Sequence, residues 1–255
     1  MCTLEKRGRV FILKLTGDGD EHRLSPAVID EINSTVRRVR SDPSASRSVL
    51  VTTAEGKFFS NGYDFSAGRS DLSLLHLMHA KLRALFANLI TLPLPTIAAV
   101  TGHASAAAFC LVMCHDYVLM RRDRGFLYMT ELDLDLEIPA WAMSLIRLKI
   151  GSPAARRAVV MTSAKLTAVE AAEKGIVGGA YDGAAGAGGG IVDGANDGAA
   201  ETVEAAVRLG EDLVSRGFDG HVYGRMREIL LKEVLDEIVS CDTSSACVRN
   251  NASRL

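Results

Sequence analysis

Apolar residues dominate the run Arg9-Val10-Phe11-Ile12-Leu13-Lys14-Leu15 with enough alternation for a strand, and Ser25-Pro26 then open a helix that runs to about Arg40. Ser48-Val49-Leu50-Val51-Thr52-Thr53 is β-branched and reads as a second strand. Leu74, Leu75, Met78, Leu82, Leu85, Phe86 and Leu89 recur at helical spacing, an apolar stripe that needs a core to face. A strand at 96–100, a helix near 106–114 and a strand at 116–121 continue the alternation. Right-handed crossovers then lay the strands side by side, so the predicted class is α/β with a parallel sheet. Two further helices are expected at about 201–216 and 219–239, the second striped by Met226, Ile229, Leu230, Val234 and Ile238.

Between these parts, residues 178–200 change to Gly, Ala and Asp, with Asp182-Gly183-Ala184-Ala185 nearly echoed by Asp197-Gly198-Ala199-Ala200. Such a stretch has little to bury and much backbone entropy to lose, so it reads as a flexible insertion; it carries no Gly-rich phosphate-binding motif. The expected organisation is a core over 1–200 followed by helices and a tail over 201–255.

A net charge of −2 on 255 residues points neither to nucleic acid nor to an anionic membrane surface. No apolar run reaches membrane-spanning length and the N-terminus has no signal-peptide core, so a soluble, intracellular protein is expected. Five cysteines, Cys2, Cys110, Cys114, Cys241 and Cys247, form no C-x-x-C pair and read as reduced thiols. His76 and His79 lie three apart on the 74–89 helix without a carboxylate beside them, so they read as surface or packing histidines and no metal site is expected. Met113, Met120, Met129, Met143 and Met161 read as core fillers, some of them lining an apolar pocket.

The chemistry concentrates in two turns. Phe58-Phe59-Ser60 runs into Asn61-Gly62-Tyr63-Asp64, and Thr96-Ile97-Ala98-Ala99-Val100 into Thr101-Gly102 and the small residues Ala104 to Ala108. Turns of this kind leave backbone N–H groups to bind a developing negative charge, which is what an oxyanion hole requires. After the strand-like Phe126-Leu127-Tyr128-Met129 comes the acidic stretch Glu131, Asp133, Asp135, Glu137. A carboxylate among Leu132, Leu134, Ile138, Trp141 and Met143 is desolvated and has its pKa raised.

These segments, with Ser152 to Arg157 and Leu166 to Val177 in order behind them, resemble the crotonase (enoyl-CoA hydratase/isomerase) superfamily over roughly Val10 to Leu235, and within it the plant peroxisomal enoyl-CoA delta isomerases. The resemblance implies a crotonase (ClpP-like) fold of stacked ββα units with a C-terminal helical region, assembled as a trimer or hexamer. It places the oxyanion donors at the N–H groups of Tyr63 and Ala107, the substrate-binding loop at Ser60, Asn61, Gly62, Tyr63 and Asp64, and the proton-moving base at Glu131, with Glu137 a substitute. Asp64 also reads as a helix cap. Cys110 stands where hydratases carry a second glutamate, Ala106-Ala107-Ala108 where many members carry glycines, and Asp135 where hydratases usually have a glycine. One base suits a 1,3-proton shift that converts a 3-enoyl-CoA to a 2-trans-enoyl-CoA; hydration of a 2-enoyl-CoA, or acyl-CoA binding without turnover, are the alternatives. No cofactor is implied, coenzyme A being part of the fatty acyl-CoA substrate. The end Ser253-Arg254-Leu255 is close to the peroxisomal address read by an import receptor, so a peroxisomal location is expected.

Overall fold

The computed structural model describes residues 1–17, 19, 21–64, 72–181 and 198–243. Strands β1 (Cys2–Arg7), β2 (Val10–Leu15), β3 (Val49–Ala54), β5 (Thr96–Val100), β7 (Tyr117–Arg121) and β9 (Gly179–Tyr181) form a sheet in that order. From β2 to β9 every pairing is parallel, as the alternation of strand and helix requires. β1 departs from the expectation: it pairs antiparallel with β2, Arg7 opposite Val10, across a turn in which Gly8 has φ 57.

A smaller parallel sheet is made of β4 (Phe58–Ser60), β6 (His103–Ser105) and β8 (Leu127–Tyr128). Each of its strands follows a strand of the main sheet, and β4 and β6 lead on to the helices α2 (Leu72–Ile90) and α3 (Ala107–Met113). Strand, strand, helix is therefore the repeating unit, and the stacking of these units is the crotonase fold. The junction between β5 and β6 admits only glycine: a Cβ on Gly102 would lie 2.2 Å from the Lys57 carbonyl oxygen.

The inner strands β3 and β5 of the main sheet are buried along their whole length, which explains why their sequences are apolar or β-branched rather than alternating with charged residues. One face packs on α1 (Pro26–Ser41), capped by Ser25, and on α2, α3 and α4 (Ala140–Lys149). The short helices α5 (Pro153–Met161) and α6 (Ala168–Glu173) follow at the edge of this layer. The other face is covered by α7 (Gly198–Ser215), whose Ala205, Ala206 and Leu213 meet Val10, Val49, Ile97 and Leu119. The first helix after residue 200 thus shares the core of the residues before it. Within 178–200, residues 179–181 form β9 and 198–200 begin α7, while 182–197 lie outside the described residues.

Three further expectations are corrected. The helix at 219–239 is two helices, α8 (Gly220–Leu230) and α9 (Lys232–Thr243), broken at Leu231. Its stripe divides accordingly: Val234 and Ile238 are buried, whereas Met226, Ile229 and Leu230 are exposed. Met161, at the end of α5, is exposed rather than a core filler.

Candidate active site

The site is built where the two sheets hand over to helices. Gly62 has φ 72, a backbone that L side chains rarely adopt. A Cβ there would sit 2.8 Å from the Ser105 carbonyl oxygen and 3.5 Å from the Ala107 nitrogen. The two turns therefore abut, and absence of a side chain at position 62 is what lets Tyr63 and Ala107 stand together. The first turn is tied to the segment before α1 by backbone and side-chain bonds. Asn61 N–H donates to the Glu21 carbonyl at 2.7 Å, Leu24 N–H to the Gly62 carbonyl at 2.8 Å, and Ser60 Oγ to the His22 carbonyl at 2.7 Å.

The second turn is held open by Ala106, at φ 53 and ψ −117. That is the first central position of a type II′ turn, a region normally given to glycine. Its N–H donates to the Tyr128 carbonyl at 3.0 Å and its carbonyl accepts from Cys110 N–H at 3.1 Å, so both flanks of the strained residue are fixed. Ala107 follows as the first residue of α3, where helical geometry supplies its N–H no partner within the helix. Ala106→Gly is expected to stabilise the fold by about 1 kcal/mol, strain relieved outweighing entropy lost. A rise in Tm of a few degrees checks it; a fall would mean that the Ala106 methyl packs better than its backbone suffers.

Glu131 comes from the loop after β8, at the start of a 3-10 turn over Leu132–Leu134. The turn closes with Asp135 in the left-handed conformation, φ 53 and ψ 34, which accounts for the glycine usual there: Asp tolerates this backbone better than most residues. Leu136 N–H returns to the Glu131 carbonyl at 2.8 Å. The carboxylate accepts from Thr130 N–H at 2.9 Å. Burial pushes its pKa up, against the opposing effect of the backbone donors at Glu131 and Thr130. The desolvation has the expected source only in part: Trp141 lines the site, whereas Leu132 and Leu134 point to water, 50% and 47% exposed. It comes from an apolar cavity whose wall includes Leu75, Leu82, Met129, Leu136, Trp141 and Ala142. Trp141 is buried, edge-on to Phe86 with ring centroids 5.2 Å apart.

Of the residues singled out from sequence, Tyr63, Ala107, Glu131, Cys110 and Glu137 line this cavity together. Ser60, Asn61 and Gly62 form the backbone that aims Tyr63, and Asp64 is the last described residue of the loop; the helix start that it was expected to cap lies outside the described residues. The Cys110 thiol is buried and its pKa is pushed well up, first by burial and then by the Glu131 charge, so it stays protonated. His79, read from sequence as a surface or packing histidine, is a residue of the site. It lines the cavity, and its Nδ1 lies 3.2 Å from the Tyr63 hydroxyl. Its helical spacing from Leu75 and Leu82, one turn to either side, was the available signal. His76 is exposed, as a surface histidine should be.

Two abutting turns and a desolvated carboxylate around one apolar cavity are the arrangement of an enzyme site. Comparison with known proteins agrees. The family model described as enoyl-CoA hydratase/isomerase matches residues 5–182, and this chain belongs to that family. Enoyl-CoA delta isomerase 1, peroxisomal, of Arabidopsis thaliana is 59% identical over 256 residues, covering 100% of both chains. Enoyl-CoA delta isomerase 2, peroxisomal, of the same plant is 44% identical, covering 92% of this chain and 93% of its own. Among solved structures, a probable enoyl-CoA hydratase from Mycobacterium tuberculosis superposes with a TM-score of 0.80 at 18% identity, covering 99% of this chain and 94% of its own.

Proposed function

We propose that this chain is an enoyl-CoA delta isomerase, converting 3-cis- or 3-trans-enoyl-CoA to 2-trans-enoyl-CoA in the β-oxidation of unsaturated fatty acids. The observation that carries this reading is the half-buried Glu131 carboxylate in the same cavity as the two abutting turns. A thioester's C2 proton becomes removable when charge arriving on the carbonyl oxygen meets preorganised donors, here the N–H groups of Tyr63 and Ala107. Glu131 takes that proton, the charge spreads over the dienolate, and the carboxylic acid returns a proton at C4, leaving the double bond in conjugation with the thioester. The chemistry draws on no cofactor, because coenzyme A arrives with the substrate. The protonated Cys110 thiol, in the place of a second glutamate, disfavours activation of water; Glu137 on the same wall favours hydration as the second reading.

A pH profile tests the base. Glu131 works ionised, so kcat/KM is expected to be full above its pKa and to fall below it, with an apparent pKa above the ordinary glutamate value of about 4.3. An acid limb at the ordinary value, or none, would count against Glu131.

Assembly as a homotrimer or hexamer is supported by the exposed apolar face of α8, where Val222, Met226, Ile229 and Leu230 are 62–72% exposed. A peroxisomal location is supported by the names of the Arabidopsis thaliana relatives and by Ser253-Arg254-Leu255, the segment for an import receptor, which lies outside the described residues.

A further inference from the structure

We infer that His79 is a positioning residue for the oxyanion hole, acting through the Tyr63 side chain to fix the direction of the Tyr63 N–H. The inference rests on the isomerase reading above and adds a residue to its machinery.

The first turn needs anchors on both sides to aim a backbone donor. Its approach is anchored by the bonds of Asn61, Gly62 and Ser60 to residues 21–24. These residues precede Tyr63, whose own backbone is bridged to Leu24. Beyond Tyr63, a described anchor is the bond between its hydroxyl and His79 Nδ1 at 3.2 Å, supported by an edge-on ring contact at 5.0 Å and 62°. His79 sits on α2, whose Met78, Leu82, Leu85 and Phe86 are wholly buried, so the anchor belongs to a rigid element. Tyr63 itself is only 7% exposed, and a ring held at its tip and edge leaves little rotation to its own peptide plane.

The protonation states suit a permanent bond. Burial, with the charges of Arg83 and His76, pulls the His79 pKa down to about 4, so the imidazole is neutral over the working range, and in the tautomer protonated on Nε2 its Nδ1 accepts. Burial pushes the Tyr63 pKa up, so the phenol keeps its proton and donates. A neutral pair also spares the enolate a competing charge, and a phenol fully engaged with His79 has no second proton to offer to water in the cavity.

The test is a double-mutant cycle with Tyr63→Phe and His79→Leu, each measured for kcat and KM on a 3-enoyl-CoA, with His79→Asn as the conservative variant and Glu131→Gln as the reference. Tyr63→Phe removes one oxygen and leaves the ring, so its folding is checked by Tm alone. The expected result is a fall in kcat of about tenfold in each single variant with KM within about twofold, the scale of a slightly misplaced group. The double variant should be no slower than the slower single, because both remove one bond. His79→Asn, which keeps an acceptor near the Nδ1 position, should recover most of kcat. Wild-type kcat in Tyr63→Phe, a change confined to KM, or a double variant whose loss is the product of the singles would overturn the inference. Undiminished turnover in Glu131→Gln would instead overturn the isomerase mechanism on which it rests.

Discussion

Glu131→Gln is expected to lower kcat for conjugation of a 3-enoyl-CoA by roughly 10³-fold, the middle of the range for loss of a general base. KM should change little. The amide has the size of the acid and can keep its contact with the Thr130 N–H. What is lost is the ability to accept a proton. The acid limb of the pH profile should vanish with it, since burial raises the pKa of a carboxyl and not of an amide. Stopped assays with long incubation, following absorbance of the conjugated thioester, measure so large a loss. A fall of less than tenfold would leave another cavity group, with Glu137 the candidate, as the base.

Arg227→Met is expected to destabilise the fold by about 3 kcal/mol, the lower end of the cost of breaking a buried ion pair by removing one partner. Arg227 projects from α8 and is 4% exposed. Its guanidinium donates to the carbonyls of Ile90 at 2.7 Å, Leu94 at 3.2 Å and Leu92, and to Asp116 Oδ2 at 2.6 Å. Arg40 completes the cluster on the carbonyls of Asn88 and Thr91 at 2.8 and 3.0 Å. Together the two arginines satisfy carbonyls of the last turn of α2, at Asn88 and Ile90, and of the segment after it, at Thr91, Leu92 and Leu94. Methionine fills the volume and satisfies none of them. Asp116 keeps Thr96 N–H at 2.8 Å, which is why the lower figure is chosen. At roughly 2–4 °C per kcal/mol, Tm should drop by about 10 °C at fixed protein concentration. An unchanged Tm would mean that water reaches those carbonyls at little cost. The cluster also bears on function, since α2 is the element that brings His79 to Tyr63.

Much of this site is legible in sequence because its parts are local. A strand ending in Asn61-Gly62-Tyr63 reports a turn, and the small residues 104–108 report a close approach. The order of these segments with Glu131 carries the family. The unread parts depend on what lies across the fold. β1 has an exposed, charge-bearing sequence and owes its place to pairing with β2. Arg227 looks like one more surface cation until the carbonyls of Ile90, Leu92 and Leu94, at and just beyond the end of α2, are seen around it. No Gly or Pro marks the break at Leu231, so one amphipathic stripe was read through two helices. The desolvation of Glu131 was read half correctly: Trp141 lines its cavity as expected, but Leu132 and Leu134 face water, and Leu75 and Leu82 of α2 stand in their place. Position 106 is the reverse case, where the sequence pattern itself raised the question of alanine in a glycine's backbone and the structure answers with φ 53.

The measurement that bears most directly on the central claim is product analysis of a purified 3-trans-enoyl-CoA turned over in heavy water, separating the conjugated thioester from any 3-hydroxyacyl-CoA, for the wild type and Glu131→Gln. A single-carboxylate isomerase predicts 2-trans-enoyl-CoA as the main product, almost no hydroxyacyl-CoA, and loss of conversion in the variant. Hydroxyacyl-CoA as the main product, or conversion that survives in Glu131→Gln, would contradict it.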